Sequence, residues 1–212
     1  MKTWLILLLI SVNLQAATVL FVGDSHSVGP FGWTFDQNLR DEGHQVASYA
    51  SCGSIPKWWF SGQKTTCGFL SRDLHGKKNQ LNQNPTPLID TLLSDIKPDV
   101  VVMEFGGNYL NIPSDEFVKK DIRLFIAKIK ASGAACFWIT NPDTRNNRAV
   151  IPRVLALIKE AVGTDCPIFE SQLVTKYPAT GGDGIHYWNT LGTPIAKSWA
   201  DIAFEAFKNH WK

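Results

Sequence analysis

Val100, Val101, Val102 and Met103 form an unbroken apolar run, and a strand that is apolar at successive positions has to be covered on both faces. A parallel sheet with helices above and below satisfies that demand. Four other short runs, Thr18 to Val22, Val46 to Tyr49, Cys136 to Ile139 and Ile168 to Phe169, read as strands of the same kind.

Helical spacing fills the intervals. Leu88, Ile89, Leu92, Leu93 and Ile96 recur on one face, and Pro98 follows as a stop. Phe117, Val118, Ile122, Phe125, Ile126 and Ile129 repeat the pattern, with Ser114 as N-cap, Asp115 and Glu116 in the first turn and Gly133 beyond the end. Ile151, Val154, Leu155, Ile158 and Val162 precede Gly163. The last helix is expected to take Thr193 as cap and Pro194 as its first residue, and to bury Ile195, Trp199, Ile202 and Ala206. This alternation is that of a doubly wound α/β sandwich. A chain of 212 residues suits one such domain.

Residues 51 to 87 break the alternation. They are rich in Gly, Ser, Lys, Asn and Gln around Trp58, Trp59 and Phe60, and read as a long loop region.

Residues 1–16, MKTWLILLLISVNLQA, carry one Lys, an apolar run and a small residue suited to signal peptidase, so a cut after Ala16 is expected. Asn13 and Gln15 interrupt the run before it reaches the roughly 20 residues of a membrane span. Residues 17–212 are then the exported domain, secreted or periplasmic, with no membrane anchor. The net charge of +2 falls to +1 without Lys2, and no basic stripe suggests nucleic acid. Cys52, Cys67, Cys136 and Cys166 all lie in the exported part, and an even number there is compatible with two disulfides in any of three pairings. None of the four lies close enough to another to suggest a zinc site, and no metal or cofactor is expected.

Four short pieces fall at the carboxyl ends of predicted strands or in the loop beyond them, where open α/β sheets gather their sites. Gly23-Asp24-Ser25 ends the first strand, Ser51-Cys52-Gly53-Ser54 the second and Gly106-Gly107-Asn108 the third, while Gly181-Gly182-Asp183-Gly184-Ile185-His186 precedes the last helix. Taken singly each is a turn or a loop. Taken together they offer a serine, an Asp and a His spaced so that the carboxylate can hold one ring nitrogen while the other faces the serine, and candidate N–H donors for an oxyanion.

This set, in this order and across the whole exported part, resembles the SGNH, or GDSL-like, hydrolases. The resemblance implies a flavodoxin-like three-layer sandwich with a five-stranded parallel sheet. It also implies a triad of Ser25, Asp183 and His186, and an oxyanion hole made by the N–H groups of Ser25 and Gly53 with the Asn108 amide. Three positions depart from the usual pattern. His26 stands where many members have Leu, a variant also found in enzymes of bacterial sugar acylation; Tyr109 replaces an Asp that often follows the Asn; and Cys52 precedes Gly53. In the flavodoxin-like order the fourth and fifth strands are neighbours, so Cys136 is expected to pair with Cys166, and Cys52 with Cys67 behind Gly53.

His26, Trp58, Trp59 and Tyr109 are candidate substrate contacts, with packing as the plain alternative for each aromatic. Trp33 and Trp188 are open to the same two readings, whereas Trp138 and Trp199 fall on buried patterns. His44, His75 and His210 read as solvated. The expected activity is hydrolysis of short acyl esters, acetyl above all, on an acylated carbohydrate such as peptidoglycan or another polysaccharide. A lipid esterase or thioesterase, an acyltransferase working through the same acyl-enzyme, and a non-catalytic carbohydrate-binding protein are the alternatives. The sequence leaves the oligomeric state open.

Overall fold

The computed structural model describes residues 16–211, so the leader read at residues 1–16 lies, apart from Ala16, outside the described residues. From the amino end the elements are β1 (Thr18–Gly23), α1 (Ser25–Val28), α2 (Pro30–Asp41), β2 (Gln45–Ser51), α3 (Trp58–Ser61), β3 (Lys64–Thr65), β4 (Phe69–Arg72), β5 (Lys78–Leu81), β6 (Asn84–Pro85), α4 (Ile89–Ile96), β7 (Val100–Glu104), α5 (Asp115–Ala131), β8 (Ala135–Ile139), α6 (Ile151–Val162), β9 (Ile168–Phe169) and α7 (Gly192–His210). The main sheet runs β5-β4-β2-β1-β7-β8-β9. Its five parallel members, β2-β1-β7-β8-β9, are the five strands expected from the apolar runs, in flavodoxin-like order.

Successive side chains of the central strands point to opposite layers. Leu20, Val22, Val101, Met103 and Trp138 pack beneath α4, α5 and α6, whereas Val19, Phe21, Val100, Val102 and Phe137 pack against α2 and α7. That division is the physical content of the unbroken apolar runs, since each strand feeds two cores.

Seven strands replace the expected five because residues 51 to 87 are not an unstructured loop. β4 pairs antiparallel with β2, and β5 antiparallel with β4. β5 is exposed along its whole length, so it carries no apolar run by which a strand is recognised. Ordinary backbone pairing, not burial, holds it in place.

Helix boundaries follow the capping residues. Ser114 accepts from the Phe117 N–H at 3.2 Å and starts α5 as expected. α7 starts earlier than expected: Asn189 Oδ1 accepts from the N–H groups of Leu191 and Gly192, at 3.0 and 2.8 Å, so Thr193 and Pro194 sit inside the first turn. The buried stripe of α7 is Ala196, Trp199, Ala200, Ala203, Phe204 and Phe207, and Ile202 is exposed. His44 is also buried, accepting at Nδ1 from the Ala17 N–H at 3.1 Å, which corrects its solvated reading.

Both expected disulfides are present, Cys52–Cys67 across 15 residues and Cys136–Cys166 across 30. Closing a loop of about 15 residues contributes roughly 3 kcal/mol by restricting the unfolded chain. Reduction, or replacement of Cys52 and Cys67 by Ser, is expected to raise amide hydrogen exchange at residues 52–68 before the central strands respond. Simultaneous loss of protection everywhere would show that the bridge supports the whole fold and not the Gly53 loop.

Candidate active site

β1 ends in the middle of the sheet at Gly23, and the chain turns at once into α1. A Cβ on Gly23 would lie 2.0 Å from Ser27 Oγ, so this turn admits no side chain there. Asp24 caps α1, its Oδ1 accepting from the His26 N–H at 3.0 Å. Ser25 is therefore the first residue of a helix set on the end of the central strand.

The loop before α7 brings the other two triad candidates to it. His186 Nε2 lies 2.9 Å from Ser25 Oγ, and His186 Nδ1 lies 2.5 Å from Asp183 Oδ2. Asp183 Oδ1 accepts from the backbone N–H groups of Ile185 and His186 at 2.8 and 2.7 Å. Partial burial pushes the Asp183 carboxyl up, but the His186 ring and these two N–H groups outweigh it and hold the group down at about 2. An ionised Asp183 fixes the ring with Nδ1–H toward the carboxylate and leaves Nε2 free to accept the serine proton.

The loop is held by residues that sequence reasoning did not single out. Arg145 donates from Nη1 to the carbonyls of Pro178, Ala179 and Gly181, at 3.2, 3.2 and 3.0 Å. The Asn146 amide donates to the Asp183 carbonyl at 2.9 Å, and Tyr177 Oη donates to the His186 carbonyl at 3.1 Å. Gly184 has φ +86, and any side chain there would strike Asn146, whose Oδ1 would be 2.4 Å from a Cβ. No local sequence signal marks Arg145, because its partners are backbone carbonyls more than thirty residues away. Arg145→Ala is expected to lower kcat on p-nitrophenyl acetate by about 10- to 100-fold, the loss expected from misplacing a reacting group. Arg145→Lys should restore it only in part, since an ammonium has no second nitrogen to reach the Gly182 carbonyl, to which Arg145 Nη2 donates at 3.4 Å. Unchanged kcat in a folded Arg145→Ala protein would refute this clamp.

The oxyanion-hole candidates sit on neighbouring loops. Gly53 has φ +81 in a turn closed by the Ser54 N–H donating to the Ser51 carbonyl at 3.0 Å. Asn108 joins three of the four sequence pieces: its amide donates to Asp24 Oδ2 at 3.1 Å and to the Ser54 carbonyl at 3.0 Å. Both amide hydrogens are thus engaged before any substrate arrives, and donation to an oxyanion requires that one of them be shared.

The candidate substrate contacts divide. Trp58 is half-buried, with its ring 3.4 Å from where a Gly53 Cβ would lie. Trp59, Tyr109 and His26 are buried and have no free surface to offer, which corrects their reading as contacts. Trp59 packs on Phe105, Tyr109 donates from its hydroxyl to Asp121 at 2.7 Å, and His26 lies behind His186 with ring centroids 5.5 Å apart. Burial, and then the nearby His186, push the His26 imidazole down to about 3, so it is neutral. Trp188, which sequence left between packing and binding, is 43 % exposed and stacks on His186 with centroids 4.3 Å apart. A separate cavity of about 190 Å³ between α2, β2, β4 and β5 is lined by Ser27 and Trp33 among others, and by no triad residue.

No family model matches the sequence, and no curated protein matches it. The fold does have relatives among solved structures. TesA superposes with a TM-score of 0.62 at 18% identity, covering 89% of this chain and 98% of that one. A peptidoglycan O-acetylesterase gives 0.59 at 12%, covering 94% and 92%, and a GDSL-like lipase from Bacteroides thetaiotaomicron gives 0.55 at 13%, covering 89% and 88%. The chain shares the three-layer α/β fold of these proteins.

Proposed function

We propose that the protein is an exported serine ester hydrolase that removes short acyl groups, acetyl above all, from a carbohydrate such as peptidoglycan. The observation that carries the reading is the line of hydrogen-bonding contacts from Ser25 Oγ through His186 to Asp183. In this mechanism His186 Nε2 takes the Ser25 proton as Oγ attacks the ester carbonyl. The oxyanion is held by the N–H groups of Ser25 and Gly53 and by the Asn108 amide. His186 then returns the proton to the departing sugar oxygen, leaving an acyl-enzyme. Water, deprotonated by His186, attacks that intermediate, releases the acid and restores Ser25.

The carbohydrate part draws on the fold neighbour that is a peptidoglycan O-acetylesterase, and on the exposed or half-exposed indoles of Trp188 and Trp58 beside the triad and Gly53. Flat aromatic faces stack on sugar rings while the ester reaches the serine. The export part draws on the leader pattern of residues 1–16 and on the two disulfides, which persist in oxidising compartments. Among the described residues no helix is long and apolar enough to cross a membrane.

A panel of p-nitrophenyl esters beside acetylated polysaccharides tests the reading. Rates should fall steeply beyond roughly four acyl carbons on this reading, which takes the site to be shallow and without a channel for a longer chain. Trp58→Ala should reduce hydrolysis on the polymer more than on p-nitrophenyl acetate. A rate that rises with acyl length would instead favour a lipid esterase, and equal losses on both substrates would make Trp58 a packing residue.

A further inference from the structure

Asp24 and Glu104 take no part in the steps above, yet both are carboxylic acids buried at the foot of the site, 1% and 0% exposed. They stand at the carboxyl ends of adjacent parallel strands: Glu104 ends β7 opposite Gly23, and the N–H of Asp24, the residue after β1, donates to the Glu104 carbonyl at 3.2 Å. Register and that hydrogen bond make the two side chains neighbours, and each acts on the other's ionisation. Asp24 Oδ1 accepts from the His26 N–H and Oδ2 from the Asn108 amide, while Glu104 Oε2 accepts from Ser27 Oγ at 2.9 Å. Glu104 Oε1 is buried with no donor facing it.

The groups facing this pair are His26 and Ser27 from α1, Asn108 from the segment after β7, and His186 from the loop before α7, and among the described residues no Lys or Arg contributes. Two negative charges side by side in a dry interior without a cation are untenable. One shared proton removes the difficulty and gives Oε1 a use, as a hydroxyl donating to Asp24.

We propose that Asp24 and Glu104 hold one proton between them at neutral pH, carried by Glu104, and that the ionised Asp24 is the fixed acceptor that positions the Asn108 amide for the oxyanion. The positioning role rests on the esterase reading, whereas the shared proton does not. Burial, and then the charge of Asp24, push Glu104 well above the usual carboxylate range, and burial raises Asp24 to about 6 against the hydrogen bonds it accepts. Both groups bind protons more tightly in the folded chain than in the unfolded one. Their contribution to stability is therefore complete at low pH and declines as pH rises above the ordinary values of 3.8 and 4.5.

Glu104→Gln is the informative variant. Its amide can donate to Asp24 and accept from Ser27, so it reproduces the protonated acid permanently. In infrared difference spectra at pH 7, the carbonyl band of a protonated carboxylic acid should be present in the wild type and absent in Glu104→Gln. The wild-type Tm should also fall relative to that of Glu104→Gln as pH rises from 5 to 8. Absence of the band, or parallel Tm profiles, would overturn the shared proton.

For the positioning role, Glu104→Gln should keep kcat on p-nitrophenyl acetate within about threefold. Glu104→Ala should lower it by about 10- to 100-fold with KM little changed, because Asn108 acts on the transition state. Equal kcat losses in Gln and Ala variants, or none in a folded Ala variant, would overturn that role. A wild type with no esterase activity would remove the esterase reading and the positioning role with it, and the infrared band would still decide the shared proton.

Discussion

Ser25→Ala is expected to abolish ester hydrolysis, with a loss on the order of 10⁶ in kcat, while the protein folds as before. The size follows from the joint action of Ser25 and His186: without Oγ no acyl-enzyme forms, and the imidazole 2.9 Å away has no nucleophile to activate. The folding part follows from position. Ser25 opens α1, whose cap is Asp24, and its hydroxyl contacts His186 and supports neither core. Turnover of p-nitrophenyl acetate, read beside Tm and circular dichroism, decides the matter. A folded Ser25→Ala protein with near-normal turnover would end the serine-esterase reading.

Asp183→Asn should produce the next largest loss, between roughly 10² and 10⁴ in kcat. An amide can still accept from the Ile185 and His186 backbone N–H groups through one oxygen, so the loop should persist. Its NH₂, however, faces His186 Nδ1 and favours the tautomer that carries the proton on Nε2, which cannot accept from Ser25. The lower bound reflects exposure: the Asp183 side chain is 52% exposed, so water can supply part of what is lost. Acid stability gives a second measurement. Because the Asp183 carboxyl is held at about 2, below its ordinary 3.8, its contribution to stability is complete above 3.8 and is lost as pH falls toward 2. Asp183→Asn should therefore narrow the stability difference between pH 4 and 2, and an unchanged acid transition would count against that linkage.

The parts of the fold legible in the sequence were those that bury apolar side chains in a regular rhythm. Val100 to Met103 could be read because each residue enters one of two cores, and α5 could be read because Ser114 caps it and its apolar face is continuous. β5 escaped notice because Lys78, Asn79, Gln80 and Leu81 bury nothing. At the site, Ser25, Asp183 and His186 were legible as residue types in short motifs near strand ends. Burial of Trp59 and Tyr109 was not, because it depends on which elements pack over them and not on their neighbours in the chain. The same holds for Arg145, which binds carbonyls with no side-chain identity, and for Glu104, which lies just beyond the apolar run Val100 to Met103 and is set beside Asp24 only by its register opposite Gly23.

The hairpin laid along β2 changes what the sheet presents to other molecules. A strand at the margin of a sheet offers free N–H and C=O groups on which another chain can continue the ladder, and long flat margins of that kind seed aggregation. Here one margin is β5, fully exposed and carrying Lys78 at its start, and the other is β9, only two residues long. The long apolar parallel strands, which would be hazardous templates if uncovered, lie between these two blunted margins. Deleting the hairpin would uncover β2 as an open margin, and self-association would then compete with folding before any loss at Ser25 could be measured.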